Sequence, residues 1–210
     1  MEDSRFGDCL TNATELRHLV GEPGEVSLKK ELDHLDEHMR AFIALSPYVL
    51  VGTHSREARC DVSPRGDAPG FVAVLDSRTL LVPERPGNRR VDSLRNIIET
   101  GRVGLLFLVP GRGETLRVNG RASVIRDAEW LERLSAQGKT PQLAVAVSVE
   151  ECFLHCAKSI MRSKLWSPDA WPRADRLPSL AKMILDANPI AGESVESLDA
   201  KINEAYCHLY

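Results

Sequence analysis

Residues 86–97 read PGNRRVDSLRNI, and how this stretch is read decides the arrangement of the whole chain. It interrupts a series of strand-like runs with a turn and one helix. Pro86 and Gly87 punctuate the backbone. Asn88, Arg89, Arg90 and Ser93 then crowd four donors against a helical pattern over about 91–100. Leu94, Ile97 and Ile98 form the side of that helix expected to be buried, and Thr100-Gly101 closes it. Amide groups at a helix N-terminus carry partial positive charge, and arginine presents paired donors that match phosphate oxygens. The stretch therefore suits a doubly charged anion. A solvated turn carrying surface arginines is the other reading.

Outward from it, strand signals follow one another at hairpin spacing. YVLVGTHS (48–55), EARCDVS (57–63), GFVAVLD (70–76) and RTLLVPE (78–84) come before. RVGLLFLV (102–109), ETLRVNGRASVI (114–125) and QLAVAVSVEEC (142–152) come after, with a helix from Asp127 to about 136 between the last two. The breaks are short and rich in Gly, Pro, Asp and Ser. Six or seven such strands with one interrupting helix predict a mainly β, α+β fold: a small antiparallel barrel decorated by helices. Upstream, Ser27 is placed to cap a helix over 28–44, where Leu28, Leu32, Leu35, Met39 and Phe42 recur at helical spacing. Downstream come a short helix around 155–163, an irregular Trp- and Pro-containing stretch, and helices at Leu177–Asp186 and Ser194–Tyr206. The expected organisation is a surface segment over 1–26, a barrel domain over 27–168 and a helical extension over 169–210 packed on the same domain.

Composition narrows the partners. The 210 residues are 43% hydrophobic and 27% charged with a net charge of −3, so nothing draws the whole chain to nucleic acid or an anionic membrane. An anion site has to be a local cluster. No apolar run reaches the length of a membrane span, and the acidic start MEDSRFGDCL lacks the pattern of a secretory signal. Five cysteines without a disulfide-framework spacing read as free thiols of a cytoplasmic protein.

Two further stretches share the chemistry of the first. ARCDVSPRGD (58–67) reads as a strand that leaves Arg65 at its end beside a glycine, though an ordinary strand-to-turn transition would look the same. HCAKSIMRSKLWSP (155–168) sets Lys158, Arg162 and Lys164 at helical spacing ahead of Trp166, which suits either a flat ring or a simple core anchor. His34 and His38 lack the HExxH arrangement, and Cys152, His155 and Cys156 lack a second ligand pair, so no metal site is expected and Cys152 and Cys156 read as buried thiols. GxSxG, P-loop and dinucleotide-binding glycine patterns are absent.

In their order, ARCDVSPRGD, LLVPERPGNRRVDSLRNI, VGLLFLVPG, ETLRVNGRA and HCAKSIMRSKLW resemble the pyridoxamine 5′-phosphate oxidase-like family of FMN-binding split barrels, over about residues 40–168. The resemblance implies a six- to seven-stranded antiparallel split β-barrel with flanking helices and a helical C-terminal tail. It implies FMN as cofactor, its phosphate held by Asn88, Arg89, Arg90 and Ser93. The strand carrying Arg59, Asp61, Val62, Ser63 and Pro64 would run along the flavin, with Arg65 near the phosphate or ribityl chain. Val82 and Pro83 would line the ring, and Thr115 would reach its polar edge. The family forms homodimers with two cofactor sites at the interface, so Lys158, Arg162, Ser163 and Trp166 would come from the partner subunit.

The expected activity is an FMN-dependent oxidoreductase, oxidase or reductase, on a small organic substrate, with no side chain singled out as acid or base. Two departures stand out. True pyridoxamine phosphate oxidases end in an Arg-x-His segment that helps bind substrate; this chain has a helical tail there, which argues against that substrate. The family's usual Arg-Lys pair is Arg89-Arg90. Alternatives are a haem-binding relative using His54, His155 or His208, a deazaflavin-binding barrel, or a non-catalytic flavin binder.

Overall fold

A computed structural model describes Arg5 and Gly7–Tyr210; the remaining residues of the 1–26 segment lie outside the described residues. Seven strands form one antiparallel sheet in the order β2-β1-β5-β6-β7-β4-β3. They are β1 (Tyr48–His54), β2 (Cys60–Gly66), β3 (Ala73–Val74), β4 (Thr79–Pro83), β5 (Arg102–Leu108), β6 (Thr115–Ile125) and β7 (Ala144–His155). The helices are α1 (Ala13–Val20), α2 (Glu25–Lys29), α3 (Glu37–Leu45), α4 (Asp92–Thr100), α5 (Ala128–Glu132), α6 (Lys158–Ser163), α7 (Leu180–Ala187) and α8 (Val195–Tyr206). This is the expected α+β split barrel with flanking helices.

Alternation builds the core. Along β1, Val49 and Val51 turn inward. Val103, Leu105 and Phe107 of β5 and Leu116 and Val118 of β6 do the same, each nearly or fully buried. Leu35, Met39 and Ile43 from the α3 region and Leu94 and Ile97 from α4 join them in one cluster. Deleting a side chain such as Phe107 here would cost about 3–5 kcal/mol.

At Asn119/Gly120 the β6–β7 register shifts through a bulge. A side chain at Gly120 would meet the Ser148 carbonyl oxygen at 2.0 Å, so only glycine fits where the two longest strands bend.

Several sequence expectations are corrected. The single helix over 28–44 is two helices. Between them Leu32 exchanges backbone bonds with Cys152 of β7, and Asp36 caps α3 by accepting the Met39 amide at 2.8 Å. Helical periodicity there reflects burial on the sheet. Strand β2 runs three residues later than expected, through Pro64 to Gly66, which an edge strand allows because its outward N–H needs no partner. Of 70–76 only Ala73–Val74 pair, as a short edge. Ile98, expected inside, is 72% exposed. Cys152 is buried as expected but Cys156 is exposed, and Cys60, Cys152, Cys156 and Cys207 are free thiols. Burial, with nearby Asp36 and Asp33, pushes the Cys152 thiol up to about 11. His34 precedes α3 while His38 lies within it, so they share no helix face. Among the described residues no helix is long and apolar enough to cross a membrane.

The split lies between β2 and β4, whose backbones do not pair. Side chains bridge it instead. Arg65 Nε donates to Glu84 Oε2 at 3.0 Å, and Arg85 Nε to Asp67 Oδ2 at 2.6 Å.

Candidate functional site

Beside those bridges opens a cleft of about 900 Å³. One wall is β2, from Asp61 to Gly66. Another is the stretch from the end of β4 through residues 84–94. The 139–143 turn ahead of β7 and the distant Tyr210 complete it. Of the sequence-predicted residues, Asp61, Val62, Ser63, Pro64, Arg65, Pro83, Asn88, Arg89, Arg90 and Ser93 converge here. Strand β2 and the segment before α4 are brought together by the fold alone, since they share no backbone ladder.

The 88–91 loop is tightly wound. Asn88 Oδ1 accepts the Arg90 amide at 3.0 Å, closing a local turn. Arg89 (φ 59°) and Val91 (φ 53°) both adopt the left-handed conformation, which disfavours a β-branched residue. Val91 occupies the N-cap position of α4, yet no side chain caps the helix. Among the described residues, the amides of Asp92, Ser93 and Leu94 find no acceptor. Arg90 pairs with Asp92 at 2.8 Å, whereas Arg89 has no charged partner among the described residues and projects as an exposed cation. Fixed amides, a helix dipole and an uncompensated guanidinium make a cradle for an anion.

Deeper in, polar side chains tie α4 to the sheet. Ser93 Oγ donates to Asp61 Oδ2 at 2.6 Å, Thr53 Oγ1 donates to the same oxygen at 3.3 Å, and Asn96 Nδ2 donates to Thr53 Oγ1 at 2.9 Å. Asp61 therefore holds α4 in position. Asp67 is likewise committed: its side chain is 2% exposed and it accepts from Arg85, the Ala68 amide and the Tyr210 hydroxyl. Burial pushes the Asp67 carboxyl up. The bonds from Tyr210, Ala68 and Arg85 outweigh that and hold it below the usual carboxylate range.

The other expected residues lie elsewhere on this chain. Val82 is buried in the core behind the cleft wall. Arg59 sits in the exposed β1–β2 turn, and Thr115 pairs with His155 at the start of β6. Lys158, Arg162 and Ser163 are exposed on α6, and half-buried Trp166 donates to the Arg112 carbonyl at 2.7 Å. None of these lines the cleft of its own chain.

Sequence reading missed Glu84, Arg85, Lys139 and Tyr210. A charged residue immediately after two different strands (Asp67 after β2, Glu84 and Arg85 after β4) was the available signal for the first two. For Lys139 and Tyr210 there was none. His54 and His208 are exposed. Half-buried His155 lies against Phe153, and burial with the nearby charges of Arg117 and Lys30 lowers its pKa. Among the described residues no group of three or more His, Cys, Asp or Glu could hold a metal.

Seven antiparallel strands in a split barrel, with unaccepted helix amides beside its cleft, frame the comparison with known proteins. Residues 35–156, more than half of the chain, match the pyridoxamine 5′-phosphate oxidase family. The chain belongs to that family. No curated protein matches it. Similar solved structures include HupZ of Group A Streptococcus, at 19% identity and a TM-score of 0.48, covering 57% of this chain and 93% of that one. An FMN-binding protein from Syntrophomonas wolfei matches at 14% identity and a TM-score of 0.43, over 55% and 82% of the two chains. HutZ, the heme storage protein from Vibrio cholerae, matches at 14% and 0.40, over 58% and 94%.

Proposed function

We propose that this protein is an FMN-dependent oxidoreductase acting on a small organic substrate other than pyridoxamine phosphate. The observation that carries this reading is the uncapped N-terminus of α4 opening onto the cleft beside Asn88, Arg89 and Arg90. The donor set fits a phosphate monoester: a dianion there accepts the amides of the first helical turn and neutralises Arg89 without breaking a structural ion pair. FMN, when bound, supplies hydride acceptance and onward electron transfer.

This chain's residues bind and orient. Arg89 and Arg90 hold the phosphate, and Ser93 is kept at the cradle by Asp61. Strand β2 from Val62 to Arg65 and Pro83 form walls of the cleft that would flank the flavin. Asp61 and Asp67 are both occupied by structural bonds, and neither is assigned a proton-transfer role.

The proposal includes a homodimer. One row of paired residues, Pro64, Leu50, Leu106, Arg117 and Phe153, crosses five strands on the outer face of the sheet. Tyr48 (40%) and Val62 (68%) are exposed hydrophobics, and the Arg117 guanidinium, 4.2 Å above the Phe153 ring, has a buried Nε with no partner. A second copy seated there supplies apolar cover. Lys158, Arg162, Ser163 and Trp166, which miss their own cleft, are then proposed to reach the partner's.

The test is the visible spectrum of freshly purified protein, with mass spectrometry of whatever acid releases and sedimentation for the assembly. A two-banded yellow spectrum with released FMN supports the reading. A colourless protein that FMN cannot reconstitute overturns it, and a Soret band that shifts when one histidine is replaced replaces it with haem binding.

A further inference from the structure

The helical tail, residues 177–210, packs mainly on itself. Helices α7 and α8 contact each other, each starts at a serine cap, and Lys182–Asp186 and Lys201–Glu193 pairs lie within the tail. Among the described residues, apart from the chain-local bond from the Leu177 amide to the Ala174 carbonyl, one hydrogen bond joins this segment to the rest of the chain: Tyr210 Oη donates to Asp67 Oδ1 at 2.6 Å. Tyr210 lines the candidate cleft, and Asp67 directly follows Gly66, the last β2 residue of its wall. The acceptor carboxylate is almost fully buried, and the Arg85 guanidinium that pairs with it also lies over the Tyr210 ring at 5.7 Å from the centroid. The tail is thus fastened to one of the two ion pairs that bridge the split between β2 and β4.

We propose that Tyr210 is a ligand-facing wall residue of the cleft, latched through Asp67 and Arg85, so that docking of residues 177–210 and occupation of the cleft stabilise each other. A molecule filling the cleft gains the Tyr210 wall only while the tail is docked. By linkage, the docked tail strengthens binding by the same factor with which the ligand strengthens docking. The acceptor is ionised and the donor is a neutral phenol, so the latch is a charge-assisted bond, and losing it costs roughly tenfold in the docking equilibrium. The latch itself stands on the geometry alone; its coupling to FMN rests on the function proposed above.

The experiment is hydrogen exchange of peptides from 177–210, read by mass spectrometry with and without FMN, beside stopped-flow release of FMN. Tyr210→Phe keeps the ring and removes the donor. Tyr206→Phe, on an exposed position of α8, is the control. Expected in the ligand-free protein is tail exchange roughly tenfold faster in Tyr210→Phe than in wild type or control. FMN is expected to slow tail exchange in wild type, and Tyr210→Phe to release FMN several-fold faster.

Equal tail exchange in all three ligand-free proteins overturns the latch. Faster tail exchange with unchanged FMN release overturns the coupling. A wild type that binds no FMN overturns the cofactor assignment, while the ligand-free comparison still decides the latch.

Discussion

Two pairs of arginines meet the same cleft on different terms. Arg65 and Arg85 are largely buried, 15% and 13% exposed, and each is matched to a carboxylate across the split. Arg89 and Arg90 stand in the exposed loop before α4, where Arg90 shares Asp92 with Arg95 and Arg89 has no carboxylate among the described residues. The first pair closes the barrel where no backbone ladder can. The second leaves positive charge in place for something that is not protein. Buried charges must be compensated within the fold, whereas an exposed charge can wait for a ligand.

The contrast can be broken most severely at Arg85. Arg85→Ala leaves the buried Asp67 without its guanidinium, and the expected loss is about 3 kcal/mol of unfolding free energy in urea titrations. A loss under about 1 kcal/mol would mean that Tyr210 and the Ala68 amide satisfy Asp67 by themselves.

Arg89→Ala/Arg90→Ala should do the reverse. FMN affinity should fall about 100-fold, or about 2.7 kcal/mol, in fluorescence titration, while stability changes by roughly 0.5 kcal/mol or less. Normal FMN content in this variant would remove the phosphate assignment.

The mildest test is acid. The folded pKa of Asp67 lies below its unfolded value, so its contribution is present above the ordinary carboxylate range and is lost as pH falls through the depressed folded value. Wild type should therefore lose stability on acidification across that window more steeply than Asp67→Asn, as followed by thermal melts at stepped pH. Parallel curves would show that other carboxylates dominate acid unfolding.

What the sequence made legible, and what it did not, follows from the range of the interactions. The alternation in RVGLLFLV and ETLRVNGRASVI identifies β5 and β6 because each strand buries one face, a property written locally. The loop at 88–93 was legible for the same reason, since its donors are consecutive. Strand β2 was placed three residues early because Pro64 looks like a terminator unless the strand is known to be an edge. The 28–44 helix was overextended because Leu32 and Leu35 are buried by a β-bridge and by the sheet while keeping helical spacing. The ion pairs across the split join residues 18 and 19 apart, and the Tyr210–Asp67 bond joins residues 143 apart. Contacts of that range leave no periodicity to detect. Nor does one chain's sequence say that Trp166 is taken up by the Arg112 carbonyl rather than by its own cleft.

The left-handed backbone at Val91 sets heat resistance against affinity. A β-branched residue held there stores strain of about 1–3 kcal/mol, which a glycine would release. Anyone selecting this protein for a higher melting temperature would therefore find Val91→Gly an attractive substitution. The gain would come with a slacker loop, in which the entry to the first turn of α4 must be ordered anew each time an anion arrives. A more heat-tolerant variant of this kind should be the poorer binder.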